Sequence, residues 1–228
     1  MSLPPPRSRP QCWRGRGILC SPDLATPVPA TPVLDAVRTL GRNPVGDRAV
    51  VLIDGPSGAG KSTLADAVLA AWPGPVLPTL VRLDDVYPGW GGLDAAIDQI
   101  GRLVLGARHA GRPAAWQRYD WAAARPAEWH SIDPGRPLVI EGCGALAEAH
   151  AALSDVRVWL DADDGIRKQR ALARDGGGFE AHWDQWQRDW EAYRDRDQPE
   201  RWATVRLTGT PLGRDAPPVP QAKAVPPQ

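Results

Sequence analysis

Ala49-Val50-Val51-Leu52-Ile53-Asp54-Gly55-Pro56-Ser57-Gly58-Ala59-Gly60-Lys61-Ser62-Thr63 decides the fold of this chain. Its first five residues are a continuous apolar run, the pattern of a parallel strand buried on both faces. Gly55 to Ser62 then meets G-x-x-x-x-G-K-[ST] at every fixed position. Glycines let the backbone turn so that successive N–H groups face a phosphate. A helix opening at Lys61 adds its partial positive charge at the same place. Lys61 would reach the β- and γ-phosphates of a nucleotide, and the Ser62 hydroxyl would ligate Mg²⁺. Gly55, Pro56, Ser57, Gly58, Ala59, Gly60, Lys61, Ser62 and Thr63 are therefore the expected nucleotide contacts.

Outward from this loop, helix and strand patterns alternate. Thr31-Pro32 reads as an N-cap and first helical residue, opening a helix to Leu40. Lys61 to Trp72 is helical and stops at Pro73-Gly74. Thr79–Leu83 reads as a strand, and Leu93–Ala107 as a helix with Leu93, Ile97, Ile100 and Val104 near one face. Leu138–Ile140 and Val156–Leu160 are further strands. Asp163–Arg174 and Glu180–Tyr193 are helices separated by Gly176-Gly177-Gly178, and Thr204–Leu207 is a last strand. Alternation of this kind predicts an α/β chain with a parallel, doubly wound sheet and helices on both faces. With the phosphate loop it predicts the three-layer P-loop NTPase fold. One domain, 31–210, is expected between Pro-rich tails at 1–30 and 211–228, which bury too little to order themselves.

Among the 228 residues, 27 basic and 27 acidic side chains balance. That gives no support for bulk binding to nucleic acid or to an anionic membrane, and an oligomer is not indicated. Cys12, Cys20 and Cys143 are odd in number and form no Cys-x-x-Cys pair, so a reducing, cytoplasmic setting fits. No apolar run approaches the roughly 20 residues of a spanning helix. The N-terminus lacks the apolar core of a secretory signal. The single asparagine, Asn43, precedes the loop, so the Asn-Lys-x-Asp segment by which a GTPase reads guanine is absent. A transporter-type Ser-Gly-Gly signature is absent too. ATP is the expected nucleotide.

Four more groups could carry chemistry. Asp84 and Asp85 follow a predicted strand end, on the sheet edge where ligands bind. Phosphoryl transfer to a hydroxyl needs a carboxylate that orients the nucleophile and accepts its proton; either residue suits that task, and either could instead cap the next turn. Glu141 ends the apolar strand Leu138-Val139-Ile140 and could hold the metal or cap the following helix. Arg167, Arg170 and Arg174 share one predicted helix face. They could stabilise a transferring phosphoryl group, or simply be solvated. Trp116-Gln117-Arg118-Tyr119-Asp120-Trp121 interleaves rings with polar groups and could stack on an acceptor or form core and rim. Trp183, Trp186 and Trp190 stand at helical spacing and read as packing, and Cys143 as a small buried residue.

Taken together, Val50 to Leu207 resembles the uridine kinase-like branch of the P-loop nucleoside and nucleotide kinases. Asp84-Asp85-Val86-Tyr87 is similar to that family's Asp-x-Phe-Tyr segment, whose first Asp is the base. Tyr119-Asp120-Trp121 resembles its Tyr-Asp-Phe acceptor segment, Ile140-Glu141-Gly142 its second acidic strand, and Arg167 through Arg174-Asp175 its Arg-rich lid. The Tyr-Pro-Gly-Trp and Arg-Tyr-Asp-Trp segments look like a group of actinobacterial uridine kinase-like ATP-binding proteins. The resemblance implies Asp84, Lys61, Arg170 and Arg174 as catalytic residues. It implies Asp85, Tyr87, Arg118, Tyr119 and Asp120 as acceptor contacts, and Ser62 and Glu141 as metal ligands. Two departures concern the acceptor. Ala122-Ala123-Ala124-Arg125 stands where uridine kinases carry His-Ser-Arg, and three glycines replace a longer charged loop after the lid.

Two functions follow as expectations. One is ATP- and Mg²⁺-dependent phosphorylation of a small metabolite, with a nucleoside as one candidate. The other is a nucleotide-binding regulator or adaptor with little or no transfer activity, which would need neither a base nor a lid.

Overall fold

The computed structural model describes residues 28–174 and 178–209. Apart from 28–30, the two expected tails lie outside the described residues. The order is α1 (Thr31–Thr39), β1 (Val50–Asp54), α2 (Lys61–Ala70), β2 (Thr79–Arg82), α3 (Leu93–Gln99), a π-helical turn (Ile100–Leu105) and α4 (Gly106–His109). There follow β3 (Ala114–Asp120), β4 (Arg125–Ile132), β5 (Leu138–Glu141), α5 (Glu148–Ala151) and β6 (Val156–Asp161). The described chain closes with α6 (Asp164–Arg174), α7 (Trp183–Asp197), α8 (Pro199–Trp202) and β7 (Val205–Thr208).

Five strands form one sheet in the order β2-β5-β1-β6-β7, and every pairing in it is parallel. The strand that leads into the phosphate loop is thus the central one. All five of its residues are buried, and they divide by alternation. Val50 and Leu52 join the core on one face, with Leu93 and Ala96 of α3 and Trp186, Trp190 and Tyr193 of α7. Val51 and Ile53 join the other, with Val33, Leu34 and Val37 of α1 and Leu64, Ala65 and Val68 of α2. That is the three-layer P-loop NTPase architecture. Each fully buried Val, Leu or Ile here is worth about 1.5–3 kcal/mol, so both faces hold the strand.

Three local readings change. Helix α1 starts at Thr31, not after it: Ala30 occupies the cap position and no side chain caps the turn. The helix from Leu93 is continuous in direction but passes through a π-helical turn. There Gly101 lets His150 approach, since a Cβ at 101 would stand 2.9 Å from its Nε2. The segment read only as ring-rich, 116–121, lies in an antiparallel hairpin, β3 with β4, separate from the main sheet. Its β4 strand is mostly exposed. Gln99 fastens the hairpin to α3, its Oε1 accepting from the Gln117 N–H at 2.6 Å.

Candidate functional site

The register of the parallel strands brings Arg82 opposite Glu141 and Glu141 opposite Ile53. The carboxyl ends of β1, β2 and β5 therefore deliver Asp54, Arg82 and Glu141 to one edge. The loop that leaves β1 can be built only with glycine at two points. Gly55 and Gly58 have φ of 149° and 81°. A Cβ at 55 would lie 2.0 Å from the Leu160 carbonyl oxygen, and one at 58 would lie 2.0 Å from that of Arg167. Neither backbone nor neighbour can yield enough for a larger residue.

Asp54 seats this loop from below. It is fully buried and accepts from the N–H groups of Gly55 (2.6 Å), Gly144 (3.2 Å) and Leu146 (2.8 Å) and from the Tyr193 hydroxyl (2.6 Å). Burial raises its pKa, and the Tyr193 hydroxyl, the Leu146 N–H, the Lys61 charge and the Gly55 N–H act against that rise. Helix α7 thus reaches the base of the phosphate loop through Tyr193. It reaches the rim through Trp186, whose Nε1–H donates to Ser57 Oγ at 2.9 Å.

Lys61 opens α2 and is buried. Its Nζ donates to the carbonyls of Gly55 (2.8 Å) and Pro56 (2.9 Å) and lies 3.5 Å from Cys143 Sγ. Burial raises the Glu141 carboxyl above its ordinary range, and the neighbouring Lys61 ammonium and Ser62 hydroxyl act against that rise. Arg82 donates to Glu141 Oε1 at 3.1 Å and to Asp66 Oδ1 at 2.6 Å, holding that carboxylate in place. Ser62 and Glu141 offer two hard oxygen donors, a set that suits Mg²⁺ when phosphates and water complete it. Among the described residues no group of three or more His, Cys, Asp or Glu could hold an ion by itself.

Two cavities meet on this edge. One, of about 220 Å³, runs along the phosphate loop past Lys61, Ser62, Glu141 and Arg170. The other, of about 320 Å³, is walled by Tyr87, Trp90, Trp121, Phe179 and Trp186. Ser57, Asp84 and Arg174 line both. At that junction Arg174 Nη2 stands 3.5 Å from Asp84 Oδ2. Asp85 points elsewhere: loss of hydration and the charge of Asp84 push its pKa up, and Arg82 and Arg118 act against that.

The expected residues do not all converge. Asp84, Tyr87, Arg170 and Arg174 come together. Arg167 does not: it is buried, donates to Asp164 Oδ1 (2.6 Å) and Gln187 Oε1 (3.2 Å), and lies over the rings of Trp183 and Trp190. It pins α6 to α7, which corrects its place on a phosphate-facing surface. In the hairpin, Arg118 is paired across strands with Glu128 at 2.7 Å. Asp120 caps its own turn, accepting from Ala122 and Ala123 N–H. Tyr119 packs edge-on against Trp121. None of the three lines either cavity. Trp121 does, and its Nε1–H donates to the Asp84 carbonyl at 2.8 Å. No local pattern marks Trp90, Phe179 and Trp186 as cavity walls, because they come from three segments with no common spacing.

A phosphate loop on the central strand of a five-stranded parallel sheet, with an acid at the neighbouring strand end, defines a P-loop NTPase. A family model described as an AAA domain matches residues 51–182, more than half of the chain, and the chain belongs to that family. No curated protein matches it. Among solved structures, that of a possible uridine kinase from Bacillus stearothermophilus is similar at 17% identity, TM-score 0.52, over 77% of this chain and 99% of that one. The crystal structure of a putative fructose transport system kinase from Silicibacter sp. TM1040 is similar at 20% identity, TM-score 0.57, over 78% and 98%. At these identities the likeness is one of fold. No helix of the described residues is long and apolar enough to cross a membrane.

Proposed function

We propose that this chain transfers the terminal phosphoryl group of ATP to a hydroxyl of a small metabolite, as a kinase of the uridine kinase-like branch. The observation that carries this reading is the meeting of a phosphate-loop cavity with a ring-walled cavity at Ser57, Asp84 and Arg174. A protein that only bound nucleotide would need no second cavity opening beside a carboxylate. The cytoplasm, which supplies ATP and keeps a thiol such as Cys143 reduced, is the proposed setting.

In this reading the backbone from Gly55 to Thr63 and the Lys61 ammonium hold the phosphates. Ser62 and Glu141 would hold Mg²⁺, which when bound supplies charge neutralisation at the phosphates. An acceptor in the ring-walled cavity presents its hydroxyl at the junction. Asp84 orients that hydroxyl and takes its proton as the new O–P bond forms and the bond from the γ-phosphorus to the bridging oxygen breaks, leaving ADP. Arg170 and Arg174 stabilise the charge spread over the transferring group. For Arg174 this means turning from Asp84 to the phosphoryl oxygens. Of the other acceptor contacts, Tyr87 contributes its ring and Trp121 takes the place expected of Arg118, Tyr119 and Asp120. Asp85 is left a supporting role.

The test is ADP formation in the presence and absence of added hydroxyl compounds. A kinase turns over ATP sharply faster with its acceptor present. A regulator or adaptor shows the same slow rate with every compound.

A further inference from the structure

The chemistry of the second cavity restricts what can enter it. We infer that the acceptor is an alcohol carried on a flat aromatic body, held by ring contacts and not read through hydrogen bonds. This inference rests on the phosphotransfer reading above and concerns the same site.

Five rings form the walls: Tyr87, Trp90, Trp121, Phe179 and Trp186. They are locked against each other. Tyr87 meets Trp186 edge-on at 4.8 Å, Trp90 stacks on Phe179 at 5.0 Å, and Trp90 lies 4.9 Å from Trp121. Three of the four polar atoms on these rings are already engaged within the protein. The Tyr87 hydroxyl donates to the Cys143 carbonyl at 2.8 Å. Trp121 Nε1–H donates to the Asp84 carbonyl and Trp186 Nε1–H to Ser57 Oγ. These three walls therefore present carbon to a guest. No Asn, Gln or His lines the cavity among the described residues. The charged groups, Asp84 and Arg174, lie where it joins the phosphate-loop cavity.

Apart from the Trp90 N–H, the polarity is thus one-ended, ring carbon with a carboxylate at the phosphate side. A free hexose or polyol carries hydroxyls around its whole perimeter, and most of them would lose water here without gaining a partner. A nucleoside base could enter as a flat ring, but among the described residues its hydrogen-bonding edge would meet no side-chain amide and its identity would go unread. An aryl or heteroaryl alcohol matches both ends. Its ring gains stacking and edge-to-face contact, and its hydroxyl falls beside Asp84. A volume of about 320 Å³ accommodates one or two fused rings with a short side arm.

The experiment uses the full-length protein with ADP and Mg²⁺. Calorimetry measures the affinity of 2-phenylethanol, indole-3-ethanol, uridine, cytidine and D-fructose, and mass spectrometry follows phosphoryl transfer to each from ATP. We expect the two aryl alcohols to bind at least about tenfold more tightly than fructose, the scale of one or two aromatic pair contacts, and to be phosphorylated. Uridine and cytidine should bind alike. Trp90→Leu should weaken aryl-alcohol binding by about tenfold while ATP affinity stays unchanged. Should that variant fail to melt cooperatively, Phe179→Leu removes a ring from the same wall. Phosphorylation of fructose without aryl-alcohol binding would overturn the substrate class and leave the kinase reading standing. So would a preference above about tenfold between uridine and cytidine, since only a read base edge gives one. Aryl-alcohol binding with no transfer to any compound would overturn the kinase reading and leave the ligand class standing.

Discussion

Arg174 Nη2 lies 3.5 Å from Asp84 Oδ2 where the phosphate-loop cavity opens into the ring-walled cavity. Both side chains are more than half exposed, so the pair is worth little to stability. Its meaning is positional. A carboxylate that can take a proton and a guanidinium that can meet a phosphoryl group stand together at the one point both substrates would share.

Asp84→Asn keeps size and most hydrogen bonding and removes the basic oxygen. Transfer should fall by roughly 10²–10⁴-fold, the range for a lost general base, with ATP affinity within a few-fold of wild type. Asp85→Asn should do less, because Asp85 lines neither cavity. Steady-state rates alongside calorimetric ATP titrations check both. Loss of ATP binding in Asp84→Asn would assign that residue to the metal.

Lys61→Ala should abolish measurable ATP binding while the fold survives. In the structure the ammonium caps carbonyls of its own loop and lies beside Cys143 Sγ, and neither contact joins one strand of the sheet to another. Calorimetry with ATP and a thermal melt decide it; unchanged affinity would sink the phosphate-loop assignment.

Tyr193→Phe removes the hydroxyl that donates to Asp54 beneath the phosphate loop. A buried hydrogen bond to a charged acceptor is worth about 1.5–3 kcal/mol, so denaturant midpoints should drop accordingly. ATP affinity should weaken too, because Asp54 fixes the Gly55 N–H. Stability within about 0.5 kcal/mol of wild type would show that the contact carries nothing.

Burial lowers the pKa of His150, whose ring lies between the carbonyls of Ala145 and Ile97. The sign follows from linkage: the unfolded chain takes up this proton near pH 6.5, before the folded protein does. Stability should therefore fall as pH drops through about 6.5 toward the folded value. Melting curves of wild type and His150→Gln, compared from neutral pH downward, isolate this contribution from that of the buried acids. A difference between the two that does not change with pH would contradict it.

Not all of this was legible in the sequence. The central strand, phosphate loop and α2 were, because a continuous apolar run, fixed glycines and a lysine each have one physical explanation in that order. The positions of Asp84 and Glu141 on the sheet edge were, because one follows an apolar strand and the other ends one. The hairpin was not: β4 is largely exposed and shows no clean alternation of apolar and polar residues. Helical spacing grouped Arg167 with Arg170 and Arg174, but spacing does not say what faces a helix, and Trp183 and Trp190 took Arg167 into the interior. Trp186 read as packing, which it is, but its N–H also holds Ser57. The Tyr193–Asp54 contact joins positions 139 apart, a distance no local pattern spans.

In the proposed function, phosphoryl transfer occurs at the Asp84–Arg174 junction. Its most direct test incubates wild type and Asp84→Asn with ATP, Mg²⁺ and a defined mixture of aryl alcohols, nucleosides and hexoses, and searches by mass spectrometry for any compound that has gained one phosphoryl group. Wild type should yield a phosphorylated product, and Asp84→Asn should lose roughly 10²-fold or more of it at unchanged ATP binding. No phosphorylated product, with ATP hydrolysed equally slowly by both proteins, would contradict it.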